Sequence, residues 1–253
     1  MMIRRVLFAS LLLACPVLAA DDEQVVVFET VAKVAVGADG YPEDVQGAER
    51  LPPALRQFVE STVDGWRFEP VLVDGVARKG MTWVRLSVCA VPQGGDFALA
   101  ARYTGNGPTP ASGAVLVDPP RYPANALRAG VEGDMLVAYT VQPDGSATLD
   151  SITYPEQEEK RMHRYFERSL RDWVSAMRYQ PEELDGSAVA TRISTPVEFT
   201  LGEAPTTKQV EEEVRRGWQD SPECLAAEGR QPPGQEAIAQ SPFVLRDIAP
   251  AGP

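Results

Sequence analysis

Trp66-Arg67-Phe68-Glu69-Pro70 with Asp74-Gly75, and Met177-Arg178-Tyr179-Gln180-Pro181 with Asp185-Gly186, are one pattern written twice at an offset of 111 residues. The same offset holds upstream. It pairs Leu55 with Phe166, Val59 with Leu170, Val63 with Val174 and Trp66 with Met177. Those positions step by 4, 4 and 3, which places them on one apolar stripe of a helix. Chance likeness between two amphipathic helices would not carry the Arg-aromatic-x-Pro and Asp-Gly that follow each. Pro70 and Pro181 stand where a helix must already have ended, because proline excludes helical backbone from the residue before it.

Working outward, Val36-Gly37-Ala38-Asp39-Gly40 is similar to Val141-Gln142-Pro143-Asp144-Gly145 at an offset of 105. Both read as an alternating strand entering an Asp-Gly turn, the local signal of a hairpin. After each helix comes another alternating run, Val84, Leu86 and Val88 in the first copy and Val197, Phe199 and Leu201 in the second. The expected fold class is α+β: two units, each a small antiparallel sheet with a helix packed on one face. The expected division is a leader at 1–20, a first unit at 21–91 and a Gly/Pro/Ala-rich linker at 92–114. A second unit follows at 115–201, then a helix-like piece (Gln209 to Gln219) and a Pro/Gly-rich tail at 202–253.

The 253 residues carry 24 basic and 36 acidic side chains, a formal charge of −12, with 44% hydrophobic residues. That balance excludes a nucleic-acid binder, which needs clustered Lys and Arg to displace counterions. At the N-terminus, Arg4 and Arg5, the apolar run Val6 to Ala14 and Val17-Leu18-Ala19 have the three parts of a secretory signal peptide. Cleavage near Ala19 or Ala20 removes two positive charges and no acid, so −12 becomes −14. Leu12-Leu13-Ala14-Cys15 is also similar to a lipobox, with Leu13 where Ala or Ser is usual. Lipidation of Cys15 and a plain signal role for it both stay open. An even pair of cysteines, Cys89 and Cys224, then remains in an oxidising compartment, which favours a disulfide between them.

Pro120-Arg121-Tyr122-Pro123, Ala126, Gly130, Glu132-Gly133, Val137, Val141 and Asp144-Gly145 resemble the TonB C-terminal domain family. Met177-Arg178-Tyr179-Gln180-Pro181 and Pro196-Val197-Glu198-Phe199 continue the resemblance, which covers about 119–201. The family often has Trp where Met177 stands, and Trp66 keeps it in the first unit, so 25–91 reads as a diverged copy without the Tyr-Pro opening. Of the motif, Tyr122, Pro123, Gly130, Gly133, Asp144, Gly145, Tyr179 and Pro181 are expected to be structural: helix entry and exit, strand start, turn, and hand-over to the last strand.

What the resemblance implies for function is recognition without catalysis. TonB C-terminal domains bind periplasmic segments of outer-membrane receptors, partly by pairing an extended peptide with an exposed strand. The strand expected to do this here runs from Val189 to Leu201, with Val189, Thr191, Arg192, Ile193, Ser194, Thr195, Val197 and Phe199 as contact positions. Pro196 within it has no N–H for a ladder, which favours an edge. A bulge at Pro196, or an edge covered by the first unit or the tail, stays open beside that. The implied partner is an extended peptide of an envelope or outer-membrane protein, with a link to TonB-dependent transport and a periplasmic location. No nucleic acid, cofactor or metal is expected, and membrane contact follows only if Cys15 is lipidated or the leader is retained. Two alternatives stand: an envelope accessory that self-associates, as a homodimer, through its sheets, and a membrane-anchored energy transducer. The transducer lacks its expected Lys-Pro/Glu-Pro spacer in this sequence.

Enzyme chemistry finds little to work with. His163 is the one histidine and reads as a solvated helical residue four positions after Glu159. A Ser-His-Asp triad would have to recruit it, and no Gly-x-Ser-x-Gly elbow is present. Gly105-Asn106-Gly107-Pro108 lacks the Lys-Ser/Thr of a phosphate loop. Glu156, Glu158 and Glu159 at a helix start, with Glu156–Lys160 and Glu167–Arg171 at i+4, read as helix stabilisation. Glu211-Glu212-Glu213 before Arg215-Arg216 reads as a solvated face, and Trp66 and Trp173 as core.

Overall fold

The computed structural model describes residues 25–93, 96–115, 117–155, 159–202, 224 and 241–247. β1 (Val26–Val36) turns through Asp39-Gly40 into β2 (Pro42–Gly47), followed by α1 (Pro53–Asp64). Next come β3 (Arg67–Phe68), the hairpin β4 (Val71–Val73) and β5 (Val76–Arg78), and the long β6 (Gly80–Gln93). β7 (Asp96–Gly107) folds back along β6, and β8 (Thr109–Pro110) leads away. The second half begins with α2 (Ala124–Ala129), β9 (Gly133–Val141), β10 (Ala147–Thr153) and α3 (Glu159–Ala176). It ends with β11 (Tyr179–Gln180), the hairpin β12 (Glu183–Leu184) and β13 (Ser187–Ala188), and β14 (Thr191–Phe199). β15 (Leu245–Asp247) closes the described chain. The fold is α+β with antiparallel sheets.

Each half has its first strand in the middle of its sheet: β1 lies between β2 and β6, and β9 between β10 and β14. The registers also correspond. Val36 faces Gly80 and Val34 faces Thr82 in the first half, while Val141 faces Thr191 and Tyr139 faces Ile193 in the second. The helical stripes pack on these sheets, α3 placing Phe166, Leu170 and Val174 over Val137, Tyr139 and Val141. α1 places Val59 and Val63 over Ala32, Val34, Val84 and Leu86, with Trp66 fully buried just beyond its end. Burying such a side chain contributes about 1.5–3 kcal/mol, so the stripe, more than intrinsic helix propensity, holds each helix in place.

The two Asp-Gly turns explain how the motif after each helix is seated. Gly40 has φ +85° and Gly145 φ +79°, backbone that favours glycine. A Cβ on them would lie 2.1 Å from the Phe68 carbonyl oxygen and 2.3 Å from that of Tyr179. The approach is close because Phe68 and Tyr179 each donate their N–H to the glycine carbonyl, at 2.9 and 2.8 Å.

Three results differ from the sequence reading. Pro92–Ala114, read as a linker, is strand over most of its length, because Leu99, Ala101 and Tyr103 follow the pleat of β6, while Ala98 and Ala100 beside them blur the alternation and Gly105 and Gly107 read as loop. Val189 lies outside β14 and donates its N–H to the Glu182 carbonyl instead. Within the stretch read as a tail, Ser241–Asp247 belongs to the fold: β15 pairs with β3, and Phe243 is buried in the first core. The Gln209–Gln219 helix, the leader, Cys15, Glu156, Glu158 and the Glu211–Arg216 run lie outside the described residues.

The halves interlock. β12 extends the first sheet by pairing with Gly80 and Met81 of β6, and β8 pairs with β11. The fully buried Glu182 carboxylate ties three segments together, accepting from Thr82 Oγ1 (2.6 Å), Thr191 Oγ1 (2.8 Å) and Ser241 Oγ (2.7 Å). Three hydroxyl donors offset the desolvation of a buried carboxylate. Cys89 and Cys224 form a disulfide with a Cα–Cα distance of 5.5 Å.

Candidate functional site

β14 pairs with β9 along one side, without a break from Thr191 to Phe199. Its other side pairs with no strand among the described residues. Pro196 sits inside this ladder opposite Leu136. A proline cannot donate to β9, so its position belongs to the outward set, together with Arg192, Ser194 and Glu198. Those four residues aim their backbone groups away from the sheet. Thr191, Ile193, Thr195, Val197 and Phe199 aim theirs at β9, with Ile193, Val197 and Phe199 packing on the second core and Thr191 bonding Glu182. Phe199 stacks on Phe166 at 4.6 Å between ring centroids, and Thr191, Val197 and Phe199 are buried. The expected contact positions thus divide: Arg192 and Ser194 face the open edge, while Thr191, Ile193, Thr195, Val197 and Phe199 pair inward. Pro196 and Glu198, absent from that set, belong to the edge.

A groove of about 410 Å³ runs beside this strand, lined by Thr191 through Glu198. Tyr139, Trp173 and Tyr179 add aromatic surface to it, and Val115 and Val117 add aliphatic surface. Trp173, expected to be plain core, is half-buried and donates its indole N–H to the Asp118 carbonyl at 2.6 Å. That bond holds the chain at Asp118 against the helix. Pro108, Pro110, Pro119 and Pro120 also line the groove. Four residues without an N–H offer few donors to the free edge, so this stretch borders the strand without closing the sheet over it.

Charge in the groove is mixed. Arg85 donates to the Asn106 carbonyl at 3.3 Å, and Arg192 Nε lies 3.5 Å from Asp150 Oδ2. Glu198 stands at the other end. The Tyr139 and Tyr179 hydroxyls meet at 2.7 Å. Burial, followed by the Tyr139 contact, pushes the Tyr179 phenol far above its ordinary pKa, so it stays neutral. Such a surface suits an uncharged or mixed-charge extended chain with apolar side chains. His163 lies elsewhere, exposed on α3, with Nε2 3.0 Å from Glu167 Oε2. Glu167 also pairs with Arg171 at 2.7 Å, as the i+4 spacing implied. Among the described residues no group of three or more His, Cys, Asp or Glu is placed to hold a metal.

Residues 118–201, which contain this strand, match the family model described as the Gram-negative bacterial TonB protein C-terminal. Over these residues the chain is similar to TonB C-terminal domains. The same region is 29% identical over 85 residues to proteins called "Protein TonB" from two strains of Xanthomonas campestris pv. campestris, B100 and ATCC 33913. The match takes in 34% of this chain and spans 36% of the length of those relatives.

Within this TonB-C-like region the motif positions occupy structural places. The Tyr122 hydroxyl donates to the Val131 carbonyl at 2.7 Å, and its ring packs edge-on against Phe166 and Phe199. Pro123 precedes the first turn of α2, and Gly130 ends that helix in the left-handed conformation. Gly133 lies under α3, where a Cβ would meet Met162. Asp144 accepts from the Ser146 N–H and hydroxyl, which hold its carboxyl below the usual range. Pro181 joins β11 to β12. Sequence reasoning missed Tyr139, Trp173 and the groove wall formed by 106–110, Val115, Val117, Pro119 and Pro120. The one signal that could have found the wall is its proline density.

Proposed function

We propose that this chain is a non-catalytic, TonB-related envelope protein whose 118–201 domain captures an extended peptide of an envelope or outer-membrane partner by strand addition to β14, in connection with TonB-dependent transport. The carrying observation is the outer edge of β14, which no strand among the described residues pairs, beside an aromatic-lined groove. Backbone groups of Arg192, Ser194, Pro196 and Glu198 supply the affinity, and alternate side chains of the peptide supply the specificity. Residues 25–91 are, in this reading, a diverged copy of the same unit. The matching strand order and register of the two halves support it, as does the 111-residue offset of their motifs. The leader places the protein in the periplasm.

The test is capture of partners from envelope extracts by the mature protein and by Ser194→Pro. That substitution removes an outward N–H and leaves every bond to β9 intact. Loss of the captured partner with an unchanged far-UV spectrum is expected, and an unchanged partner set refutes the edge. Homodimerisation is favoured by the same observation, since a second β14 would satisfy the edge equally well. Sedimentation of the mature protein separates the two, because an obligate dimer disrupted by Ser194→Pro leaves no strand for a peptide. Mass spectrometry of the native N-terminus tests the energy-transducer alternative, which requires residue 1 to be retained.

A further inference from the structure

We propose that the groove beside β14 is also a small-molecule site, whose ligand is a single-chain amphiphile with a carboxylate head, of the fatty-acid class, held head-first on Arg85. Arg85 comes from β6, outside residues 118–201, so the site exists only where the two halves meet. The groove walls spend their polar groups inside the protein. The Trp173 indole N–H is taken by the Asp118 carbonyl, the Tyr139 and Tyr179 hydroxyls by each other, and the Thr191 hydroxyl by Glu182. Arg192 lies against Asp150, and Pro108, Pro110, Pro119 and Pro120 carry no N–H. Arg85 is the exception. It is half-buried, its guanidinium gives one bond to the Asn106 carbonyl, and it forms no ion pair with another described residue.

The chain makes room for that side chain. Gly105 stands opposite Arg85 with φ +142°, and a Cβ there would lie 3.2 Å from Arg85 Nη2. Arg85 faces Gly105 while Leu86 faces Tyr103, so Thr104 is the extra residue of a bulge. Bulge and glycine together let the guanidinium lie over β7 at the mouth of the groove, as bulges re-aim side chains elsewhere. The two ends of the groove differ in charge. Hydrogen bonds join Asn106 to Thr82, Thr82 to Glu182 and Glu182 to Thr191, which puts Arg85 at the Thr191 end, and Glu198 stands at the other. An anionic head is therefore drawn to Arg85 and repelled from Glu198. A planar carboxylate matches the guanidinium fork and offsets the desolvation of a half-buried cation. Between the two ends, proline, valine and aromatic surface accepts an unbranched apolar chain. The volume of about 410 Å³ is that of a small-molecule site.

The probe is dodecanoate, kept below the concentration at which it forms micelles and titrated calorimetrically into the mature, disulfide-intact protein. Saturable binding of one ligand per chain is expected, at least about tenfold tighter than that of dodecanol, which has the same chain and no charge. Arg85→Gln is expected to weaken dodecanoate binding at least about tenfold and to leave dodecanol binding as it was. Arg85→Lys should fall between parent and Arg85→Gln, because an ammonium keeps the charge and loses the fork. Absence of saturable dodecanoate binding overturns the proposal. So does equal affinity of the parent protein for dodecanoate and dodecanol, a comparison that needs no variant to fold. Undiminished dodecanoate binding by Arg85→Gln, with an unchanged far-UV spectrum, overturns the place of the head. An acetylated tetravaline with a free C-terminus that binds more tightly than dodecanoate, and loses as much in Arg85→Gln, assigns the carboxylate to a chain end and overturns the fatty-acid class.

Discussion

Replacing Phe243 by alanine tests whether the 241–247 segment is part of the first core or merely lies on it. The ring is 1% exposed and packs within the cluster that includes Val34, Val63, Trp66, Phe68 and Leu86. Its backbone is held independently. Phe243 O accepts from Asn106 Nδ2 at 2.9 Å, Phe243 N–H donates to Ser241 Oγ at 3.0 Å, and Val244 O accepts from Glu69 N–H at 2.7 Å. The substitution thus removes the ring and none of these bonds. Lost transfer free energy accounts for about 1.5–3 kcal/mol. The residual cavity raises the total to about 3–5 kcal/mol, the range for such truncations. Because β15 is three residues long, the segment has a second way to respond, which is to leave the sheet.

Urea denaturation under oxidising conditions distinguishes these responses. A cavity lowers the midpoint at constant slope, whereas detachment also lowers the slope, since less surface remains to be exposed on unfolding. Val244→Ala, at a half-exposed neighbouring position, is the control and should stay within about 0.5 kcal/mol of the parent. A loss below about 1 kcal/mol for Phe243→Ala, at unchanged slope, would refute the claim that this residue completes the first core.

Gly145→Ala should cost about 2–4 kcal/mol, from a positive φ added to a collision with the Tyr179 carbonyl. Gly186→Ala, with φ +77° and nothing within 4 Å, should cost only the backbone part, about 1 kcal/mol, and comparing their thermal midpoints separates the two causes. Burial pushes the Tyr103 phenol up to about 12. The folded state therefore holds its proton after the unfolded chain has lost it, and this contribution is fully present below pH 10 and disappears between about 10 and 12. Tyr103→Phe should remove that dependence in an alkaline titration followed by circular dichroism, and an unchanged alkaline transition would refute it. Replacing Cys89 and Cys224 together by alanine opens a link across 135 residues and should cost about 2–5 kcal/mol in urea denaturation.

Much of the architecture was legible because it depends on local rules. The 4, 4, 3 stripe of Phe166, Leu170, Val174 and Met177 implied a helix over a sheet, and all four are buried. Asp144-Gly145 implied a turn, and Pro196 favoured an edge; among the described residues β14 pairs with β9 alone. β7 escaped notice because Ala98 and Ala100 blur the alternation of Phe97, Leu99, Ala101 and Tyr103, and Gly105 and Gly107 read as loop; the pairing with β6 makes it a strand. The division of β14 into inward and outward backbone groups was hidden for a similar reason. Period-two alternation identifies which side chains face the core, but only a partner strand decides which N–H groups are used.

By itself, the sequence determined the local elements and the doubled motif, since helix stripes, Asp-Gly turns and proline stops act over a few residues. Tertiary structure alone decided which edges are covered. β7 closes β6 and Phe243 enters the first core, while Pro108, Pro110, Pro119 and Pro120 border β14, which among the described residues pairs with β9 alone. Those outcomes rest on contacts between segments tens to more than a hundred residues apart, whose meeting no local pattern encodes.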